Sequence, residues 1–133
     1  MADRDDAPPV VSLTRNDAGE RIQWIATLSL PAGLRCFQGH FPSRPVLAGV
    51  TQLQWAATLY QRCYEDPRSI RRVTRLKFMR VVRAGETLQL CLEAGAGGDD
   101  FGFSYWVGSA RCTVGRIHLS SADHAAVCDR TGV

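Results

Sequence analysis

Cys36-Phe-Gln-Gly-His-Phe-Pro-Ser-Arg-Pro-Val-Leu-Ala-Gly-Val-Thr-Gln-Leu-Gln-Trp-Ala57 is the stretch whose reading decides the fold. Pro42 and Pro45 keep residues 34–48 out of helix and central strand, so they read as a loop. Gly49 starts a helix that continues to about Tyr64 and stops before Asp66-Pro67. Val50, Leu53, Ala56, Ala57, Tyr60, Cys63 and Tyr64 recur at helical spacing, and Trp55 and Leu59 broaden the stripe. Arg62 is its one charge. A helix this apolar is expected to be largely enclosed by other structure.

Strand patterns lie on both sides of it. Residues 9–15 and 21–30 are extended runs joined by Asn16-Asp-Ala-Gly-Glu20, a turn-forming composition that predicts a hairpin. Ile22, Trp24, Ala26, Leu28 and Leu30 alternate with Gln23, Ile25, Thr27 and Ser29, which marks one buried face. After the helix, residues 70–82, 86–94, 101–108 and 110–119 read as strands of an antiparallel meander, with turns at Arg83–Glu86, Gly95–Asp100 and Gly108-Ser109. The order predicts an α+β fold, a curved sheet wrapped around one long central helix. One domain over residues 8–120 is expected, with a flexible stretch at 1–7 and a loosely ordered tail at 121–133.

Composition narrows the function classes. No apolar run reaches the roughly 18 residues of a membrane span, and the polar, acidic start Met1–Pro9 reads as neither signal nor transit peptide, so a cytoplasmic protein is expected. Five cysteines without a Cys-x-x-Cys pair read as small buried hydrophobes. Three scattered histidines give no metal-ligand spacing. Six arginines (68, 71, 72, 75, 80, 83) and Lys77 fall between residues 68 and 83 without an acid. That run lacks the interleaved aromatics of a nucleic-acid surface. It reads either as a solvated strand face or as a docking patch for an acidic protein, with Arg71, Arg72, Arg75, Lys77, Arg80 and Arg83 as its cations.

The loop carries the chemistry. His40 sits between a permissive glycine and the stiff Phe41-Pro42, and a neutral imidazole is the commonest general base. The first N–H groups of a helix opened by Gly49 point outward unsatisfied, with the positive end of the dipole behind them. They would polarise a thioester carbonyl and stabilise the enolate left by proton removal. Gly49 also has a steric reading, the close passage of the loop over the sheet. A carboxylic acid at position 54 would complete a 1,2-elimination of water from a 3-hydroxyacyl thioester, but the residue there is Gln54, which donates hydrogen bonds without giving up a proton.

Gly39-His40-Phe41-Pro42-x-x-Pro45-Val46-Leu47-x-Gly49-Val50 resembles the signature of the hot-dog-fold 3-hydroxyacyl-(acyl carrier protein) dehydratases, the FabA/FabZ group. Gln52-Leu53-x-Trp55-Ala56 and Leu76-Lys77-Phe78-x-Arg80-x-x-Arg83-x-Gly85-Glu86 resemble more closely the branch related to the aryl-polyene dehydratase ApeI. The likeness covers roughly residues 8–120. It implies a homodimer with sheets joined edge to edge, and two shared sites that each take His40 from one subunit and residue 54 from the other. It further implies that Phe41, Pro42, Val50, Leu53 and Thr58 line the acyl path. No cofactor is implied beyond the phosphopantetheine of an acidic acyl carrier protein, which would be the docking partner. The chain departs from the family at Gln54, where the acid stands, at Thr58, often glutamine, and at Ala48, usually proline.

Three functions follow as expectations. The first is a dehydratase in which His40 handles the proton on both sides. The second is a partner subunit that depends on a paralogue for its acid. The third is a non-catalytic acyl-thioester binding module, with an acyl thioesterase as a lesser possibility. Trp55, Tyr60 and Trp106 read as ordinary core more readily than as pocket lining.

Overall fold

Among the described residues, alternation of apolar and polar residues produces six strands, and the helical stripe produces one long helix packed on them. The structure is a computed structural model that describes residues 7–31, 33, 34, 37, 46–95 and 98–120. The elements are β1 (Val10–Ala18), β2 (Arg21–Ser29), α1 (Gly49–Cys63), β3 (Ile70–Phe78), β4 (Thr87–Gly95), β5 (Asp100–Val107) and β6 (Ala110–Leu119). All six strands form one antiparallel sheet in the order β1-β2-β4-β5-β6-β3. The α+β fold with a sheet around a single helix is the one the sequence predicts.

Three details differ from expectation. The first hairpin turns on Gly19-Glu20 alone, because β1 runs on to Ala18 opposite Arg21. Gly19 takes a φ of 65°, which glycine adopts without steric cost. Strand β3 stops at Phe78 rather than near residue 82, because the backbone N–H groups of Met79 and Arg80 both turn to the carbonyl of Cys112. Finally, the last four strands are not a simple meander. β4, β5 and β6 follow in order, but β3 lies beyond β6 as the sheet's outer edge.

The core lies between α1 and the concave face of the sheet. Trp55, Ala56, Leu59 and Tyr60 from the helix meet Leu28, Leu90, Leu92, Phe101, Tyr105 and Ile117 from the strands, all buried. Tyr60 stacks on Phe101 with ring centroids 4.1 Å apart and donates its hydroxyl to Asp66. Burial, then the Asp66 carboxylate, push the Tyr60 phenol up to about 12. Tyr64 donates to the carbonyl of Ile22. These contacts pin the C-terminal half of α1 to the sheet.

The expected enclosure of α1 holds on one face. Gln52, Trp55, Ala56, Leu59 and Tyr60 are buried, while Val50, Gln54 and Arg62 are exposed. At 100° per residue, Val50 and Gln54 project from the side opposite the buried stripe. That second side is exposed in the single chain.

Candidate active site

The start of α1 is built from three ties. Leu47 donates its N–H to the carbonyl of Val82 at 2.7 Å, and Val46 bridges Arg83, so the end of the loop is fastened to the segment after β3. Gln52 is the second tie. Its Nε2 donates to the carbonyl of Leu47 at 3.1 Å, and its Oε1 accepts the hydroxyl of Thr113 at 2.6 Å. Third, Tyr105 donates its buried hydroxyl to the Gln52 carbonyl. Burial raises the Tyr105 phenol far above its ordinary range, so it stays a donor.

These bonds satisfy both ends of a buried amide, as a dry core requires. The reading of the sequence missed this role for Gln52. The signal was present, because a glutamine one turn before Trp55-Ala56 on the apolar stripe must find partners.

Gly49 lies against the ring of Phe78 at the end of β3. A Cβ there would lie 2.7 Å from Cζ of Phe78, so the crowding is between the helix start and a side chain at the end of β3. Ala48, the N-cap residue, contributes no side-chain hydrogen bond, and no acidic residue occupies the first turn. The N-terminal N–H groups are therefore not neutralised by a local anion.

Gln54 is exposed on the open face of α1, with Leu53 and Thr58 partly covered beside it. Val50 is 62% exposed, Phe78 53% and Val81 51%, and Met79 is exposed with them. They bring an apolar surface to the β3 edge and the start of α1. The predicted site residues Gly49, Val50, Leu53, Gln54 and Thr58 thus share one helix, the first four in its N-terminal half. His40, Phe41 and Pro42 lie outside the described residues.

Trp55 and Tyr60 are core, whereas Trp106 lies half-buried and donates its indole N–H to Ser104 at 2.8 Å.

The basic run divides by environment. Arg68 binds Asp66 at 2.8 Å and Asp99 at 2.9 Å. The hydrogen-bonded Arg68 guanidinium holds the Asp66 carboxyl down to about 2. Arg80 forms an ion pair with Glu86, whose carboxyl it lowers, and Glu86 also accepts the backbone N–H of Arg83. Both arginines are occupied in shaping turns. Arg71, Arg72, Arg75, Lys77 and Arg83 are exposed.

The profile of the ApeI-like family, described as ApeI dehydratase, matches residues 15–116, well over half of the 133 residues. The chain belongs to the ApeI-like family. Among solved structures, an uncharacterized protein from Erwinia carotovora subsp. atroseptica superposes with a TM-score of 0.75 at 26% identity, covering 87% of this chain and 98% of that one. The dehydratase heterocomplex ApeI:P from Xenorhabdus doucetiae gives 0.71 at 26% identity, covering 86% and 98%. The E. coli PaaI protein of the phenylacetic acid degradation operon matches at 0.59 with 15% identity over 82% of both chains, a likeness of fold alone. No curated protein matches the sequence. The neighbours establish the hot-dog fold.

Proposed function

We propose that the chain is a 3-hydroxyacyl thioester dehydratase whose substrate is carried on an acyl carrier protein. The observation that carries this reading is the placement of Gln54. It stands on the open face of α1, one turn beyond Val50, beside an apolar edge that a second subunit would cover. Family membership supports the same chemistry.

In this reading His40 takes the proton from the carbon next to the thioester carbonyl. The helix start at Gly49 holds the enolate oxygen. The C3–O bond then breaks as the C2–C3 double bond forms. Gln54 donates a hydrogen bond to the departing hydroxyl, and His40 returns the proton to it, releasing water. Losing a true general acid typically costs about 10²–10⁴-fold in rate, so slow turnover is part of the proposal. The purified chain, given a short 3-hydroxyacyl carrier-protein substrate, is expected to form the 2-enoyl product. His40→Ala is expected to abolish it. No product even at high enzyme concentration would overturn the reading.

The subunit contact is proposed at β3. Among the described residues that strand pairs on one side only, and Ile70, Leu76, Phe78, Met79 and Val81 are exposed along and just beyond it. An unpaired edge with apolar side chains invites a second chain. The exposed cations Arg71, Arg72, Lys77 and Arg83 are the proposed contacts of the acidic carrier.

A second reading is favoured by Gln54 together with the heteromeric nature of the ApeI:P neighbour. Here the chain pairs with a paralogue that brings Asp or Glu, completing half of the shared sites. Co-expression with hot-dog paralogues of the same genome, followed by co-purification, separates this from the homodimer.

A further inference from the structure

A bulge in β3 sends Arg75 to the side of the sheet away from α1. Thr74 faces Arg116 and Lys77 faces Val114, so three steps along β3 match two along β6. One extra residue is accommodated there, and Arg75 takes a φ of 55°, a conformation non-glycine residues rarely adopt. Leu76 reaches the concave side, where its Cδ1 would lie 3.3 Å from a Cβ at Gly115. Arg75 instead lines a groove of about 310 Å³ on the convex face. Bulges commonly re-aim a side chain in this way.

The groove gathers like charge. Arg75, Arg111 and Arg116 line it together with Gln23, Ser104 and Glu93. Glu93 is the one acid among the lining residues, and Arg21 already pairs it at 3.5 Å. Arg116 is partly answered by Asp100 at 3.3 Å. Arg111 lies over the Trp106 ring, 5.9 Å from its centroid, and neither it nor Arg75 has a carboxylate within 4 Å among the described residues. Gly102 keeps the floor bare: a Cβ there would lie 3.3 Å from Nη2 of Arg116. Asn16 donates to Oε1 of Gln23, which leaves the amide donors of Gln23 to offer.

We infer that this convex groove is an oxyanion site for a phosphate-bearing small molecule, held by Arg75 and Arg111 with Arg116 at its floor. Guanidinium groups match phosphate oxygens in pairs of hydrogen bonds. The volume suits a small ligand better than a protein surface, which would need a longer continuous face. A strained arginine aimed into a cationic recess is otherwise unexplained, since like charges repel and strain costs free energy. The site lies across the sheet from α1 and does not depend on the dehydratase reading.

The test is titration of the full chain with inorganic pyrophosphate at fixed ionic strength, followed by calorimetry. Arg75→Gly keeps the bulge, because glycine accepts positive φ, and removes the cation. Saturable binding is expected in the wild type and in Arg71→Ser, and weaker binding by at least about tenfold in Arg75→Gly and in Arg111→Ser. Thermal melting checks that each variant is folded. Absence of saturable binding, or equal binding in all four proteins, overturns the proposal. So does a polyglutamate peptide that binds through Arg75 and Arg111 while pyrophosphate does not, since the surface would then serve a protein.

Discussion

Thr113 donates its hydroxyl to Gln52 Oε1 at 2.6 Å, joining β6 to the start of α1 through the buried core. With the Gln52–Leu47 bond, it fixes the end of the loop, the helix start and the sheet relative to one another. Gln52→Leu leaves the Leu47 carbonyl and the Thr113 hydroxyl without this partner. It should cost about 2–4 kcal/mol in urea unfolding. Gln52→Leu/Thr113→Val should cost less than the sum of the single changes, by about 1 kcal/mol. Strict additivity would show that the two side chains do not act together.

Gly49 and Phe78 form a second coupled pair. Gly49→Ala places a methyl group against the ring and should destabilise by about 1–3 kcal/mol. Phe78→Ala in the same chain should remove most of that cost, because the clash is with the ring alone. Chemical denaturation of the four-member cycle measures it.

Acid should loosen the turn after α1. The Asp66 carboxyl sits at about 2 in the folded chain against 3.8 ordinarily. A depressed carboxyl contributes stability that is complete above about pH 4 and lost as pH falls toward 2. The contribution is about 2 kcal/mol for this mostly covered pair. Stability measured from pH 6 to pH 2 should fall less steeply in Asp66→Asn than in the wild type. Parallel curves would refute the assignment.

If β3 meets a second subunit, charge on its apolar edge should split the assembly. Phe78→Asp/Val81→Asp is expected to shift the mass in light scattering to that of a single chain while circular dichroism stays native-like. An unchanged mass would place the contact elsewhere.

The sequence made the helix legible because its stripe is long, regular and punctuated by Gly49 and Asp66-Pro67. The hairpin was legible too, though its turn is tighter than the Asn16–Glu20 composition suggests. The place of β3 was not, since strand order depends on crossovers that local alternation does not encode. Nor was the bulge at Arg75, which contains no glycine to mark it. Arg68 and Arg80 looked like members of a free patch because Asp66 and Glu86 fall just outside the 68–83 run, and only the turns bring them, with the distant Asp99, onto the guanidinium groups. Gln54 could be located from its spacing to Gly49, and its outward direction follows from the same helical geometry.

The most direct test of the central claim is the steady-state dehydration rate of Gln54→Glu on a short 3-hydroxyacyl thioester, with His40→Ala in the same background. A shared dehydratase site lacking only its acid predicts a rise in kcat/KM of about a hundredfold, lost when His40 is removed. No rise, or a rise that survives His40→Ala, would contradict it.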